Sequence, residues 1–163
     1  MAHWYAVAES LKQLLIVQAG ETASGRSARL AQAALAGAQA EAAVRSVLLH
    51  ALQAGIDDLL AADALLLITP EKFGYMAGAL KDFFDRTFYP AQGKVEGLPY
   101  ALMVVAGNDG RGAISSVERI VRGYPFKPVA KPWLLQGESG DAELDTARQL
   151  GLALASGVAC GIF

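Results

Sequence analysis

Glycine and hydroxyl side chains are concentrated at residues 20–27, which read GETASGRS and could hold a phosphate. The stretch matches the triphosphate-binding pattern G-x-x-x-x-G-K-[ST], except that Arg26 stands in place of the lysine. A planar guanidinium replaces a compact ammonium poorly, and Thr69 ends the third strand where an acidic magnesium ligand would be needed. A nucleoside triphosphatase is therefore disfavoured.

A single phosphate suits the same stretch better, because a loop that enters a helix presents free N–H groups and the positive end of the helix dipole. Hydroxyl groups of the loop add further donors. The alternative is a glycine turn that binds nothing, with Ser24 or Ser27 serving as the helix N-cap. The hydroxyl residues concerned are Thr22, Ser24 and Ser27.

A second stretch, residues 69–76, reads TPEKFGYM and ends a nearly continuous apolar run. Pro70 is expected to stop the strand, and Gly74 is expected to let the backbone approach a ligand closely. Phe73 and Tyr75 flank that approach, which favours a flat aromatic ligand. The alternative is that both rings are ordinary core or surface aromatics.

A third stretch, residues 107–112, reads GNDGRG and follows another apolar run. Its glycine spacing is the reverse of the dinucleotide fingerprint, so no such fingerprint is assigned. Backbone N–H groups of a glycine-rich loop could instead bind carbonyl oxygens at the edge of a ligand. The alternative is a flexible turn before a helix that starts at Ala113.

Five short apolar runs alternate with stretches of helical spacing, which predicts a doubly wound, five-stranded parallel α/β sheet of order 2-1-3-4-5 with helices on both faces. Such sheets bind ligands beyond the carboxyl ends of the strands, here between strands one and three. The three stretches follow strands one, three and four, so they are expected to meet at one crevice. The predicted strands are 14–17, 44–50, 64–68, 101–106 and 128–135.

Composition limits the classes of function. The 163 residues, 53% hydrophobic and 18% charged, predict one domain over 1–163, with 1–12 as a peripheral extension. The net charge of −2 offers no basic surface for nucleic acid or an anionic membrane. One cysteine and two distant histidines predict neither an intrachain disulfide nor a metal site. With no signal peptide apparent, a cytoplasmic location is predicted.

A two-component receiver would share this topology but needs acidic residues after strands one and three. Gln18, Ala19 and Thr69 occupy those regions, so a receiver is excluded.

Residues 69–90, TPEKFGYMAGALKDFFDRTFYP, resemble the T-P-x-x-x-G-x-M/I-x-G-x-L-K-x-F-x-D segment of the flavodoxin-like NAD(P)H-dependent FMN reductase and quinone reductase family. AGNDGRG is similar to that family's third flavin loop, and SGRSARLA is similar to its phosphate loop, [ST]-x-T-G-x-[TA]. The resemblance extends from about Leu14 to Phe163. It implies a flavodoxin-like fold with FMN bound by Thr22, Ser24, Gly25, Arg26, Ser27, Thr69, Pro70, Glu71, Phe73, Gly74, Tyr75, Met76, Gly107, Asn108, Asp109 and Gly110.

The resemblance further implies an oxidoreductase in which NAD(P)H passes a hydride through the flavin to a quinone or another flat acceptor. No catalytic side chain is required, because the cofactor carries the chemistry and the protein supplies position and electrostatics. A homodimer is also expected. Phe88, Tyr89 and Pro90 are predicted to lie just past the third helix, near the crevice, where aromatic residues can anchor an interface. The alternative is that they form a local cap on the core of the domain itself.

The first loop departs from the family pattern. Six residues separate Val17 from Ser24 where about four are usual, and Gln18 and Ala19 replace the usual aromatic-His or His-Ser pair. Two alternatives stay open. A flavodoxin-type electron carrier is one, although such carriers are more acidic; a cofactor-free binding protein on the same fold is the other.

Overall fold

Alternation of apolar runs and helical stretches produces a layered α/β structure in the computed structural model, which describes residues 10–163. Residues 1–9 of the predicted N-terminal extension lie outside the described residues, and Lys12 already opens the first strand. The strands are β1 Lys12–Gln18, β2 Val44–His50, β3 Ala64–Lys72, β4 Tyr75–Met76, β5 Pro99–Ala106, β6 Lys127–Pro128 and β7 Trp133–Gln136. The helices are α1 Arg26–Ala38, α2 Ile56–Ala61, α3 Gly78–Ala91, α4 Arg111–Val121 and α5 Asp141–Cys160.

The strand order β2-β1-β3-β5-β6 confirms the predicted doubly wound parallel sheet. The predicted fifth strand over 128–135 is corrected to two short strands, β6 and β7, both paired with β5. Pro128 and Pro132 carry no backbone N–H, which explains why one ladder does not run through the whole segment.

Apolar side chains cover both faces of the central strands. Leu14 and Ile16 pack in one cluster with α1 and α5, while Leu15 and Val17 pack in the other with α3 and α4. Since successive side chains of a strand point to opposite faces, a continuous apolar run is what two covered faces require. The carboxyl ends of β1, β3 and β5 therefore meet at one edge of a rigid sheet.

The prediction that Pro70 ends its strand is wrong. β3 continues to Lys72, and Pro70 is in register with Val105 of β5. The Ile68 carbonyl accepts a hydrogen bond from the Ala19 N–H on the β1 side of β3. Residues two apart in a strand direct their backbone groups to the same side, so the nitrogen of Pro70 also faces the β1 side. The β1 strand has already ended there, so the missing N–H costs no ladder bond.

The aromatic segment at the end of α3 also lies elsewhere than predicted. Phe88, Tyr89 and Pro90 belong to the last turns of α3 rather than to a segment beyond it. The helix starts at the crevice edge and its 14 residues span about 21 Å, so its end lies at the opposite edge of the sheet. Phe88 packs edge-on against Tyr124 at 5.3 Å between ring centroids, while Tyr89 is 76% exposed.

Candidate functional site

The first loop, residues 19–25, joins β1 to α1 and leaves the start of the helix without a side-chain cap. Gly25 is the N-cap residue, so the alternative of a capping hydroxyl at Ser24 or Ser27 is wrong. The first N–H groups of α1 therefore remain available to a ligand. An adjacent cavity of about 200 Å³ is lined by Gly20, Glu21, Thr22, Gly25, Arg26, Ser27, Pro70, Lys72 and Val105.

Four of the five predicted phosphate-loop residues thus line one cavity, and the exposed Ser24 does not. Ser27 is 4% exposed and stands in the first turn of α1. Two cations, Arg26 and Lys72, and the carboxylate of Glu21 also line this cavity, and Lys72 is paired with Glu21 at 2.7 Å. Helix N–H groups, a hydroxyl and two cations form a donor set that suits a phosphate monoester.

Side chains from the ends of β1, β2 and β3 brace the lengthened first loop at Gly20 and Glu21. The Gly20 N–H donates to Gln18 Oε1 at 2.7 Å, and His50 Nε2 donates to the Gly20 carbonyl at 2.9 Å. The Leu52 N–H donates to His50 Nδ1 at 3.2 Å, which assigns the proton of the neutral ring to Nε2. A 2.7 Å ion pair joins Glu21 to Lys72 of β3. The lengthened loop is therefore held on three sides.

The second stretch forms a two-residue β-hairpin between β3 and β4. Glu71 pairs with Met76 and Lys72 with Tyr75, so Phe73 and Gly74 make the turn. Their φ values of 50° and 71° are those of a type I′ turn, in which glycine is at ease and phenylalanine is strained. Phe73 is fully exposed at the tip and Tyr75 is 43% exposed. That both rings flank a ligand in the crevice stays a prediction.

Two predicted members of this stretch support the hairpin from beneath. The Thr69 side chain is buried; its hydroxyl donates to the Pro70 carbonyl at 2.9 Å and accepts from the Ala77 N–H at 3.0 Å. Met76 is buried as well, and its N–H donates to Ser116 Oγ at 3.1 Å. Neither side chain lies at the surface of the hairpin.

The third stretch follows β5 and packs directly on the hairpin. A Cβ at Gly112 would collide with the carbonyl of Gly74, so only glycine permits this contact. The helix begins at Arg111 rather than at Ala113, with Gly110 as its N-cap at φ 75°. Asp109 pairs with Arg111 at 2.6 Å, and Gly107, Asn108 and Asp109 are exposed. The three predicted loops are thus assembled at one edge of the sheet.

Sequence reasoning missed three residues that hold these loops: His50, Lys72 and Gln136. The Gln136 side chain, at the end of β7, donates to the carbonyls of Asn108 and Asp109. All three residues lie at the carboxyl ends of strands at or beside the crevice. Polar residues at the ends of neighbouring strands are the signal that could have found them.

The fold is that of a flavodoxin-like protein, and this donor set lies at the carboxyl edge of its sheet. Residues 49–134, more than half of the chain, match the family model described as NADPH-dependent FMN reductase, and the chain belongs to this family. FMN is accordingly its cofactor, with NAD(P)H as the reductant, and the chain is a flavin-dependent oxidoreductase.

Solved structures share the fold at low sequence identity. A flavodoxin from the domain Archaea superposes with a TM-score of 0.76 and 18% identity over 90% of this chain and 98% of its own. A flavodoxin, WrbA-like protein from Agrobacterium tumefaciens superposes with a TM-score of 0.70 and 20% identity over 91% of this chain and 98% of its own. An NADH:FMN oxidoreductase in its apo form superposes with a TM-score of 0.70 and 17% identity over 88% of this chain and 90% of its own. No curated protein matches the chain.

Within residues 10–163, no helix is long and apolar enough to cross a membrane. In the same part of the chain, no three His, Cys, Asp or Glu side chains are grouped as metal ligands.

Proposed function

We propose that the chain binds FMN across its three loops and passes a hydride from NAD(P)H to a quinone or another flat acceptor. The observation that carries this proposal is the uncapped start of α1 beside a hydroxyl and two cations, with an exposed aromatic hairpin next to it. These neighbouring features suit a ligand that combines a phosphate with a flat ring.

Each loop has a separate task in this proposal. The α1 N–H groups and Ser27 hold the phosphate and Arg26 supplies positive charge, while Glu21 balances the charge of Lys72. Phe73 and Tyr75 flank the ring and restrict access to it. The backbone N–H groups of residues 107–110 stabilise negative charge that develops at the carbonyl-rich edge of the ring. When bound, the flavin supplies the hydride chemistry, so the proposal needs no general acid among the side chains.

The proposal includes a homodimer and a cytoplasmic location. Exposed aromatic side chains at the hairpin support the homodimer, because such side chains anchor many interfaces. The sequence has one cysteine and thus no intrachain disulfide, which fits a cytoplasmic location.

The experiment starts with the visible spectrum of the chain purified without added flavin and again after FMN addition. At FMN near 100 times its dissociation constant, binding stabilises the fold by about 2.7 kcal/mol and raises Tm by roughly 5–10 °C. Riboflavin is expected to do less because it lacks the phosphate. NADH and NADPH are then compared as donors with a quinone as acceptor.

Three results would contradict parts of the proposal. No thermal shift at millimolar FMN would favour a cofactor-free binding protein. A bound flavin that holds a single electron stably in a potentiometric titration would favour an electron carrier. Reduction by NAD(P)H without turnover of any quinone would remove the quinone and leave the flavin site.

A further inference from the structure

Gln136 ties the third loop to the outer edge of the sheet. Its Nε2 lies 2.7 Å from the carbonyl oxygen of Asn108 and 3.1 Å from that of Asp109. Two carbonyl acceptors fix the orientation of the amide, since only its NH₂ group can donate to both. The Gly137 N–H adds a 3.2 Å bond to the carbonyl of Ala106.

This anchorage determines where the N–H groups of the loop point. In a trans peptide, a carbonyl and the next N–H point in opposite directions. Since the carbonyls of Asn108 and Asp109 face Gln136 of β7, the N–H groups of Asp109 and Gly110 point away from β7, which lies on one side of β5 while β3 lies on the other. Within residues 10–163, neither N–H group has a hydrogen-bond partner.

Leu134 of β7 also packs against the loop, at Gly110. Gly110 has φ 75°, and a Cβ there would collide with Leu134 of β7. β7 therefore contacts the loop twice, through Leu134 packing and through Gln136 hydrogen bonds.

We propose that Gln136 is a positioning residue of the flavin site, which presents the N–H groups of Asp109 and Gly110 to the carbonyl-rich edge of the ring. The inference rests on the proposed flavin site and adds a residue that contacts the ring only through the loop. Two preorganised N–H donors favour a ring that gains negative charge on reduction. Gln136 therefore affects both the affinity for flavin and the reduction potential of the bound flavin.

The test uses Gln136→Met, which keeps the length of the side chain and removes both donors. FMN and riboflavin are each titrated into the flavin-free chain, and affinity for both is expected to fall about tenfold. An equal loss shows that the ring rather than the phosphate is affected. The midpoint potential of bound FMN is expected to become more negative, because the charged reduced ring loses more stabilisation than the oxidised one.

A matched control and a flavin-free measurement complete the test. Gln149→Met removes a similar amide hydrogen bond, to Asp145 within α5, that does not involve the loop, and is expected to leave affinity and potential unchanged. NMR order parameters of residues 107–110 in the flavin-free chain are expected to fall from about 0.85 toward 0.6 in Gln136→Met only.

The outcomes separate this inference from the proposed function. Wild-type affinity, potential and order parameters in Gln136→Met, with FMN bound normally, would overturn the role of Gln136 and leave the flavin site intact. A wild-type chain that binds no flavin would contradict the proposed function and, with it, this role of Gln136. A loss for FMN that riboflavin does not share would also overturn the inference.

Discussion

Ser27 is the residue at which the phosphate and turn interpretations of the first loop differ most. Its side chain lines the cavity beside the uncapped start of α1 and does not cap the helix. Ser27→Ala is expected to weaken FMN binding roughly ten- to a hundredfold, because a hydrogen bond to a charged oxygen contributes about 1.5–3 kcal/mol. Riboflavin affinity is expected to change little in the same titration.

Arg26→Lys is the companion variant, since it restores the lysine of the triphosphate pattern. It is expected to keep FMN affinity within a few-fold and to create no tight Mg-ATP binding. Equal losses of FMN and riboflavin in Ser27→Ala would instead assign Ser27 to the shape of the loop. Tight Mg-ATP binding by Arg26→Lys would contradict the flavin interpretation altogether.

Phe73 combines backbone strain with complete exposure, which stability alone does not explain. A bulky residue in the left-handed region costs about 1–2 kcal/mol, whereas Asn-Gly is a preferred type I′ pair. Phe73→Asn is therefore expected to raise the free energy of unfolding of the flavin-free chain by about 1 kcal/mol. Flavin affinity is expected to fall, because the ring beside the crevice is removed.

Chemical denaturation and FMN titration of the same sample measure both effects. Tyr89→Asn, at an exposed aromatic on the opposite edge of the sheet, is the control and is expected to leave flavin affinity unchanged. A Phe73→Asn chain that is more stable and binds FMN as tightly as wild type would show that the strained aromatic has no role in binding flavin.

The residues of the site were only partly predictable from sequence. Glycine and hydroxyl patterns located the three loops, because a loop that cradles a ligand needs those residue types within a few positions. They could not show that Thr69 and Met76 are buried, since burial depends on how the hairpin folds over α4. Nor could they find His50 or Gln136, whose contacts depend on which strand ends lie side by side.

At the scale of elements, two glycines allow α1 and α5 to pack unusually closely. A Cβ at Gly37 would collide with the carbonyl of Arg148, and a Cβ at Gly151 would collide with that of Ala34. Gly151→Ala is expected to lower the free energy of unfolding by about 1–3 kcal/mol, because one methyl group forces the two helices apart. Urea denaturation of the flavin-free chain measures the change.

Gly78→Ala is the matched control for that substitution. Gly78 also lies in a helix, but a Cβ there meets nothing within 4 Å, so the variant is expected to be neutral or stabilising by up to about 1 kcal/mol. A Gly151→Ala chain as stable as wild type would mean that the helix contact is looser than its geometry indicates.

Strands and helices were more predictable than the contacts between them. Long apolar runs identified β1, β3 and β5, because burial on both faces leaves a continuous signal, and a shorter run identified the edge strand β2. The rule that proline ends a strand failed at Pro70, since its consequence depends on whether a partner strand is present on that side. The last predicted strand is split into β6 and β7 because two prolines in it lack a backbone N–H. The apolar pattern did not predict this interruption, since it takes no account of backbone donors.

At the scale of the whole molecule, the crevice edge behaves as one connected unit. The Glu21–Lys72 ion pair joins the first loop to the hairpin, and the contact of Gly74 with Gly112 joins the hairpin to α4. Because both partners of the ion pair are partly exposed, its own contribution to stability is small. Its effect is geometric, since it joins the loop beside the start of α1 to the strand that leads into the aromatic turn.

The exposed aromatics of this edge lead to the prediction for assembly. A homodimer is expected, with the hairpin at its interface, because Phe73 and Tyr75 present apolar rings beside a polar crevice. Light scattering at micromolar concentration is expected to give twice the 17.1 kDa of one chain. Phe73→Asp is expected to shift this mass toward one chain, because a carboxylate is costly in an apolar interface.

Tyr89→Asp tests the competing patch, since Tyr89 is exposed at the far end of α3. It is expected to leave the dimer intact, because the proposed interface lies at the crevice and α3 leads away from it. A dimer that Tyr89→Asp dissociates and Phe73→Asp does not would move the interface to the opposite edge of the sheet. A wild-type mass of one chain would contradict the dimer itself, and the flavin site would then have to function within a single chain.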